Sequence, residues 1–248
     1  MIARNAFLWI IAFVTISAFQ QAKAQKTITF PSKDSLTITA DYYEADPKAP
    51  FILLFHQAGS SRGEFTEIAP RFVKLGYNCL AVDLRSGNET KYVINQTALK
   101  AKSQKKPTKY LNAALDMQAA IEYASNKSRK PVVVLGSSYS ASLGLLLAKT
   151  NPQISAVIAF SPGEYFEKEN FTRDSIAGLD IPIFAASAKD EYKYLTALFG
   201  KVNRINYTLF CPSKGNGEHG AKALWTESPE NGEYWLALML FINQIKDF

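Results

Sequence analysis

Apolar runs alternate with amphipathic stretches along most of the chain. Two early segments, 26–30 and 36–43, alternate apolar and polar residues, which predicts an antiparallel hairpin. A continuous apolar run predicts a strand buried on both faces at 51–55, and another buried strand is predicted at 78–82. Further strands are predicted at 131–135, 154–160, 181–186 and 205–210. Helical periodicity predicts helices at 64–75, 110–124, 141–149, 191–199 and 230–245. This order of strand–helix units predicts one α/β domain, residues 25–248, with a mostly parallel sheet of about eight strands and helices on both faces.

The first 24 residues depart from this pattern. A basic start with Arg4 precedes an apolar run from residue 6 to residue 19, and Ala22-Lys23-Ala24 follows. A basic start, an apolar run and a small-x-small site are typical of a secretory signal peptide. The run is shorter than the ~20 residues that span a bilayer, so no stable membrane anchor is expected. We therefore predict cleavage after Ala24 and a periplasmic or extracellular mature protein; the alternative is a membrane-tethered form that keeps the leader.

Composition and charge exclude several classes of protein. With 47% apolar and 20% charged residues, the chain is neither disordered nor a polytopic membrane protein. The net charge of +6 falls to +4 without Arg4 and Lys23, and no nucleic-acid-binding module is recognisable, so no nucleic-acid partner is expected. The two histidines and two cysteines show no metal-ligand spacing, so no metal site is expected. Cys79 and Cys211 are predicted to be buried free thiols rather than a disulfide.

The strongest chemical signal lies between a predicted strand and a predicted apolar helix, where residues 136–140 read Gly-Ser-Ser-Tyr-Ser. The pattern Gly-x-Ser-x-small is typical of a nucleophile elbow. Its middle serine sits on a sharp, strained turn, so the residues two before and two after it must be small. Ser138 is therefore the candidate nucleophile, at a helix N-terminus whose dipole favours developing negative charge. A serine-rich helix cap is the alternative for so short a motif.

A nucleophilic serine needs a base, and the base needs a carboxylate that orients it. In folds with such an elbow the chain order is serine, acid, histidine. His219, in a glycine-rich loop after the last predicted strand, is therefore the candidate base, since His56 precedes the serine. Asp190 follows strand 181–186 and is the candidate acid; Glu191 could substitute but fits better as the first turn of the next helix. The alternatives are a helix N-cap for Asp190 and a surface histidine for His219.

An acyl-transfer site also needs an oxyanion hole. One donor is expected to be the N–H of the residue after the nucleophile, Tyr139. The other should come from the loop after strand 51–55, and we predict the Ala58 N–H, with Gln57 as second choice. Four residues near these strand ends are expected to line the substrate pocket: His56, Gln57, Tyr165 and Phe166. The alternative for the two aromatic residues is that they cover the edge of the core.

Residues 85–109 are polar and rich in lysine, and they follow another strand end. They suit either a small lid that attracts an anionic substrate or surface, or a solvated surface excursion, which we favour.

Taken together, these residues resemble the α/β-hydrolase superfamily, and in particular its dienelactone-hydrolase-like branch. The matching segments stand in family order and span nearly all of the mature chain: His56-Gln57-Ala58-Gly59, Asp83-Leu84-Arg85-Ser86-Gly87, residues 136–140, Asp190 and His219. The resemblance implies an α/β-hydrolase fold. It also implies a serine hydrolase without a cofactor, which cleaves carboxylic esters or related acyl substrates through an acyl-enzyme.

Three positions depart from the pattern of that branch. Gln57 stands where many members have glycine, and Ser140 replaces the second elbow glycine. Ser138 stands where the enzymes that name the branch use cysteine, so dienelactone itself is not the implied substrate. The expected partner is a small-molecule ester, and the oligomeric state is open. A peptidase or acyltransferase with the same triad, and a non-catalytic binding protein on this scaffold, are the alternatives.

Overall fold

A computed structural model of the protein describes residues 25–246; the predicted signal peptide, residues 1–24, lies outside the described residues. The strands of the described part are β1 (Lys26–Pro31), β2 (Thr37–Tyr43), β3 (Phe51–Phe55), β4 (Asn78–Val82), β5 (Glu89–Thr90), β6 (Val93–Ile94), β7 (Val132–Ser137), β8 (Ile154–Phe160), β9 (Ile183–Ala186) and β10 (Tyr207–Phe210). Its α-helices are α1 (Ala69–Lys74), α2 (Gln96–Ser103), α3 (Ala114–Ser128), α4 (Tyr139–Ala148), α5 (Phe171–Ser175), α6 (Tyr192–Leu198) and α7 (Asn231–Ile245). Short 3-10 turns stand at Arg62–Phe65, Tyr110–Ala113, Arg204–Asn206 and Gly220–Leu224.

Eight of these strands form one sheet in the order β1-β2-β4-β3-β7-β8-β9-β10. The pairs β1–β2 and β2–β4 are antiparallel, and every other pair is parallel. The chain passes from β3 to β4 in one direction and then crosses to β7 on the other side of β3. The carboxyl ends of β3 and β7 therefore form a topological switch point, where ligands bind in sheets of this kind. The predicted nucleophile and the predicted oxyanion loop both follow these two strands.

Helices cover both faces of the sheet, as the alternating pattern predicts. One apolar layer includes Phe72 of α1 and Trp235 of α7, whose rings lie 5.4 Å apart. The layer on the other face is built from α3, α4 and α6. Helix α4 lies so close to β7 that a Cβ atom at Gly144 would be 2.9 Å from Val134 Cγ1, so the strand and helix that flank Ser138 are held rigidly together. Among residues 25–246, none of the helices combines the length and the apolar character that crossing a bilayer requires.

Two local structures differ from the sequence-based prediction. The predicted helix 64–75 is divided into the 3-10 turn Arg62–Phe65 and the shorter α1, which begins where Pro70 occupies its first turn. Proline suits that position because it has no N–H to satisfy. Residues 85–109, for which the sequence predicted no strand or helix, contain the β5–β6 hairpin and α2. Asn95 begins α2, since its Oδ1 accepts the N–H of Ala98 at 2.8 Å.

A buried ion network connects the turn between β1 and β2, the end of β4 and helix α3. The Arg85 guanidinium has no exposed surface and donates to Asp34 at 2.9 Å and to Asp116 at 2.7 Å. Burial raises the pKa of Asp116 to about 6 in spite of this arginine, whereas the Arg85 hydrogen bonds hold the pKa of Asp34 well below its usual value. Removing one partner would leave a buried charge unpaired, so we assign this network to the fold.

Both cysteines are free thiols, as predicted. Cys79 is buried in β4, where burial raises the pKa of its thiol, while Cys211 is only half-buried after β10.

Candidate active site

Ser138 occupies a strained turn between β7 and α4. Its φ of 60° and ψ of −124° lie in a region that residues with a side chain rarely adopt. The Ser138 N–H donates to the Phe160 carbonyl at 2.8 Å, which helps to hold the turn against the end of β8. Gly136 is required in front of it, because a Cβ atom there would lie 2.5 Å from the backbone of Ala141. The sharp turn predicted from residues 136–140 is therefore present, with the Ser138 side chain at the carboxyl edge of the sheet.

Ser140 has a structural role at the position where the family pattern has glycine. Its side chain is buried, and its hydroxyl accepts the Ser137 N–H at 2.9 Å and donates to the Phe55 carbonyl at 2.7 Å. The hydroxyl thus joins the elbow to the end of β3, the strand that leads into the predicted oxyanion loop.

Ser140→Ala is expected to lower the free energy of unfolding by about 1–3 kcal/mol, because two buried backbone groups lose their polar partner. Urea denaturation measures this loss. The matched control is Ser155→Ala on the exposed side of β8, which should change stability by less than about 0.5 kcal/mol. Equal stability of the two variants would show that the Ser140 hydroxyl contributes nothing to the elbow.

His219 reaches Ser138 from the other end of the chain. It lies in the loop between β10 and the 3-10 turn Gly220–Leu224, and its Nε2 is 2.8 Å from Ser138 Oγ. The ring is about half-exposed, so a substrate could approach it from solvent. The structure thus brings together the serine and the histidine that the sequence analysis paired.

The carboxylate beside His219 belongs to Glu191, not to Asp190, and this corrects the prediction of the acid. His219 Nδ1 forms a short hydrogen bond with Glu191 Oε1, whereas Asp190 is exposed in the turn after β9. Glu191 directly precedes α6, and its longer side chain turns back towards the histidine. Adjacent residues of a tight turn point in different directions, so only one of the two carboxylates faces the site. The two neighbouring carboxylates were visible in the sequence, but the direction of each was not.

Ser161 is a functional candidate that the sequence analysis did not single out. It follows β8, and its hydroxyl donates to Glu191 Oε2 at 2.6 Å while it accepts the Gly220 N–H at 2.9 Å. The Ala188 N–H adds a longer bond to the same Glu191 oxygen at 3.3 Å. Ser161 therefore fixes the carboxylate and the histidine loop relative to each other.

The electrostatics of the pair favour a charged histidine beside a charged carboxylate. The hydrogen bond to Glu191 raises the pKa of His219 above its usual value, although burial opposes this. Burial disfavours the charged form of Glu191, but its hydrogen bonds to His219 and Ser161 outweigh burial and lower the pKa of the carboxylate. Such a site would stabilise an imidazolium if the histidine took a proton from Ser138.

The rate of any reaction that uses His219 as a base should fall at acidic pH. The base form is the neutral imidazole, so raising its pKa moves the loss of activity to higher pH. The negative charge of Glu64 shifts the His219 pKa in the same direction, and Lys222 shifts it the other way. The pH profile of kcat/KM should therefore bend at an apparent pKa above 6.5, the usual value for histidine. A bend clearly below 6.5 would contradict the part assigned to Glu191.

The loop after β3 keeps Ala58 as the first choice for the second oxyanion donor. The Gln57 N–H, the second choice, is already used, since it donates to Glu64 Oε2 at 3.0 Å. Ala58 is exposed, and the Tyr139 N–H is the first of α4. A helix leaves its first N–H groups without an intrahelical acceptor, so this group can serve an oxyanion.

His56 does not line a pocket, which corrects that part of the prediction. The ring has no exposed surface; Nδ1 donates to the Gln57 carbonyl at 2.7 Å, and Nε2 accepts the Leu84 N–H at 2.9 Å. The ring is neutral because Nε2 accepts a hydrogen bond, and burial also lowers the pKa of His56. His56 therefore connects the oxyanion loop with the segment that follows β4. Asn95, in that segment, adds a 3.1 Å contact between its side-chain amide and His56 Nε2.

The aromatic residues near the candidate site differ in their packing partners. Tyr165 is half-buried and donates to the Ser161 carbonyl at 2.8 Å, and its hydroxyl also interacts with Ser138. Phe166 is almost fully buried and packs edge-on against Phe171, so its prediction as a pocket residue is wrong and the alternative, a cover for the core, applies. Tyr110 was missed by the sequence analysis, although its ring stacks on Tyr139 at 4.4 Å and stays partly exposed.

A strained serine at the switch point of a mostly parallel sheet, with a histidine after the last strand, defines a protein of the α/β-hydrolase fold. The profile of the dienelactone hydrolase family matches residues 39–194. This is more than half of the chain, and the protein belongs to that family of hydrolases.

Several solved structures share this fold. The Pyrococcus furiosus esterase Pf2001 is 15% identical, with a TM-score of 0.64, and the match covers 89% of this chain and 90% of that one. A putative dienelactone hydrolase from Klebsiella pneumoniae is 14% identical, with a TM-score of 0.66, and the match covers 89% of this chain and 98% of that one. A dienelactone hydrolase from Anabaena variabilis is 13% identical, with a TM-score of 0.64 and coverage of 89% and 97%. At these identities the likeness establishes the fold alone. No curated protein sequence matches the chain.

Proposed function

We propose that this protein is a serine hydrolase that cleaves small-molecule carboxylic esters through an acyl-enzyme on Ser138. Membership of a hydrolase family supports the reaction class. The observation that carries the assignment is the 2.8 Å distance between His219 Nε2 and Ser138 Oγ, on a histidine whose Nδ1 faces Glu191. The proposed roles are Ser138 as nucleophile, His219 as base and Glu191 as the carboxylate that orients the base.

In the first half-reaction, Ser138 Oγ attacks the carbonyl carbon while His219 Nε2 takes its proton. Glu191 accepts a hydrogen bond from the Nδ1–H of His219 and leaves the proton on Nδ1, so that the Nε2 lone pair is directed at the serine. The carbonyl oxygen becomes an oxyanion, and the N–H groups of Ala58 and Tyr139 are the proposed donors to it, each worth about 3 kcal/mol in comparable sites. The imidazolium then protonates the departing alkoxide, which leaves an ester between the acyl group and Ser138.

In the second half-reaction, water replaces the alcohol. His219 takes a proton from the water as it attacks the acyl-enzyme, and it returns the proton to Ser138 Oγ when the acid leaves. No group beyond these side chains and backbone donors takes part in the proposed scheme.

A panel of short-chain nitrophenyl esters and matched peptide anilides tests this proposal, together with labelling by a fluorophosphonate probe. Esters should turn over, and the probe should attach to Ser138. Faster cleavage of the anilides would instead identify a peptidase, and acyl transfer to an added alcohol in preference to water an acyltransferase. Failure of both labelling and turnover would leave the non-catalytic binding protein as the better assignment.

We further propose that the enzyme acts outside the cytoplasm, after removal of residues 1–24. The basic start, the apolar run and Ala22-Lys23-Ala24 support export. N-terminal sequencing of the exported chain should begin at Gln25, and a retained Met1 would contradict cleavage.

A further inference from the structure

The segment that follows β4 has a charge pattern unlike the rest of the chain. Between Glu89 and Asp116 there are six lysines and no acidic residue. The structure folds this stretch as the β5–β6 hairpin and α2, and places it against the oxyanion loop. Ser60 of that loop accepts the N–H of Asn88 at 2.8 Å and the side-chain amide of Asn95 at 3.2 Å. A strongly basic surface therefore lies beside the candidate active site.

The lysines of this segment differ in how far their charge is compensated. Lys91 pairs with Glu67, and Lys109 pairs with Glu167 at 2.6 Å. Lys102 and Lys105 are exposed and have no ion-pair partner within residues 25–246. Their positive charge is available to a ligand.

These two lysines line one cavity of about 530 Å³, which Lys106 also borders while its Nζ donates to the Asp34 carbonyl. Its other walls include Gly59 from the oxyanion loop and the backbone turn at Gly87, and no carboxylate lines it. Arg85 also borders the cavity, but its guanidinium is buried between Asp34 and Asp116. The positive potential of the cavity therefore comes from lysines, whose ammonium groups suit a phosphate as point charges.

The same segment exposes an unusual amount of apolar surface. It carries half of the large apolar side chains that are exposed in the described part of the chain: Tyr92, Ile94, Leu99, Tyr110 and Leu111. Tyr92 at the tip of the hairpin is 96% exposed and Leu99 on α2 is 53% exposed. Single exposed apolar residues are ordinary, but a cluster of them among lysines is typical of surfaces that enter the headgroup region of a bilayer. A small soluble anion would gain nothing from Tyr92 or Leu99.

We propose that the β5–β6 hairpin and α2 form a docking surface for a bilayer of anionic phospholipid, with the phosphate of one headgroup in the cavity of Lys102, Lys105 and Lys106. The exposed apolar side chains enter the interface, and the lysines lie against the anionic headgroups. Docking in this orientation brings the loop that carries Ala58 close to the membrane. The inference does not rest on the proposed ester chemistry, since it requires no reaction at Ser138.

The test is sedimentation with vesicles of phosphatidylglycerol mixed with phosphatidylcholine, and with vesicles of phosphatidylcholine alone. Every variant carries the same N-terminus, so any contribution of residues 1–24 is common to all. The wild-type chain should bind the anionic vesicles much more strongly than the neutral ones, and added salt should weaken the binding. The double variant K102Q/K105Q should weaken binding about 25-fold, since each lysine near an anionic surface contributes about fivefold.

The matched control is K48Q/K130Q, which removes two exposed lysines at the opposite end of the sheet and should change binding less than about twofold. Equal losses in the two double variants would show that only the net charge matters and would overturn the proposal.

Leu99→Ser should weaken binding to anionic vesicles. Inorganic phosphate should compete with the vesicles for this variant as well as it does for the wild type. If Leu99→Ser and Tyr92→Ser both bind as the wild type does, the ligand is a soluble anion and the proposal fails. Failure of the anionic vesicles to bind better than neutral ones would also overturn it. Turnover of a soluble neutral ester, measured beside each assay, reports separately on the function proposed for Ser138.

Discussion

Ser138→Ala is expected to reduce ester turnover roughly a millionfold, the loss found when a serine nucleophile is removed from comparable triads. The reason is that the other hydroxyl groups of residues 137–140, on Ser137, Tyr139 and Ser140, have no exposed surface with which to meet a substrate. His219 would keep its contact with Glu191, and the turn is held by the Ser138 N–H rather than by its side chain. The melting temperature should therefore stay within a few degrees of the wild-type value.

The measurement is kcat on a nitrophenyl ester with calorimetry on the same preparation. Ser155→Ala serves as the control, because this serine is exposed on β8 and its hydroxyl makes only a 3.2 Å bond to the Val132 carbonyl. The control should keep full activity. Turnover by Ser138→Ala at a rate close to that of the wild type would remove the serine from the mechanism.

Glu191→Gln is expected to lower kcat about 10⁴-fold, while Asp190→Asn should change it less than about twofold. The large value follows triads in which replacement of the acid by its amide leaves the histidine in the wrong tautomer. A glutamine amide can donate to His219 Nδ1, which places the remaining proton on Nε2 and points it at Ser138. Asp190 is exposed, and it is Glu191 that bonds to the histidine, so the amide at position 190 should have little effect.

These two variants are a matched pair, since each replaces one carboxylate by an amide at neighbouring positions. A comparison of kcat under identical conditions separates the two acids directly. Glu191→Gln should also move the acidic limb of the pH profile to lower pH, because the carboxylate that raises the pKa of His219 is gone. A large loss in Asp190→Asn together with an active Glu191→Gln would restore Asp190 as the acid.

The fold was largely predictable because its strands are buried on both faces. Such strands must be continuous apolar runs, and β3, β4 and β8 are recognisable for that reason. The segment after β4 was not predictable in the same way. Its two-residue strands and the α2 helix owe their form to contacts with the rest of the protein, among them the Thr97 hydroxyl that accepts the Thr39 N–H at 2.9 Å.

The active-site pair was predictable from chain order, whereas its surroundings were not. Ser138 follows from a short motif with a required glycine, and His219 follows because the other histidine precedes the serine. Ser161 and Tyr110 gave no such signal. Each acts through contacts with residues distant in sequence: Ser161 with Glu191 and Gly220, and Tyr110 with Tyr139.

The amino-acid sequence by itself determined the α/β class, the position of the elbow and the identity of the candidate base. These features depend on local periodicity, on the glycine that the sharp turn before Ser138 requires, and on the order of residues along the chain. Tertiary structure alone decided that Glu191 rather than Asp190 meets the histidine, and that His56 is buried inside the fold. Both outcomes depend on the direction of a side chain, which is set by packing between segments that meet only when the chain is folded.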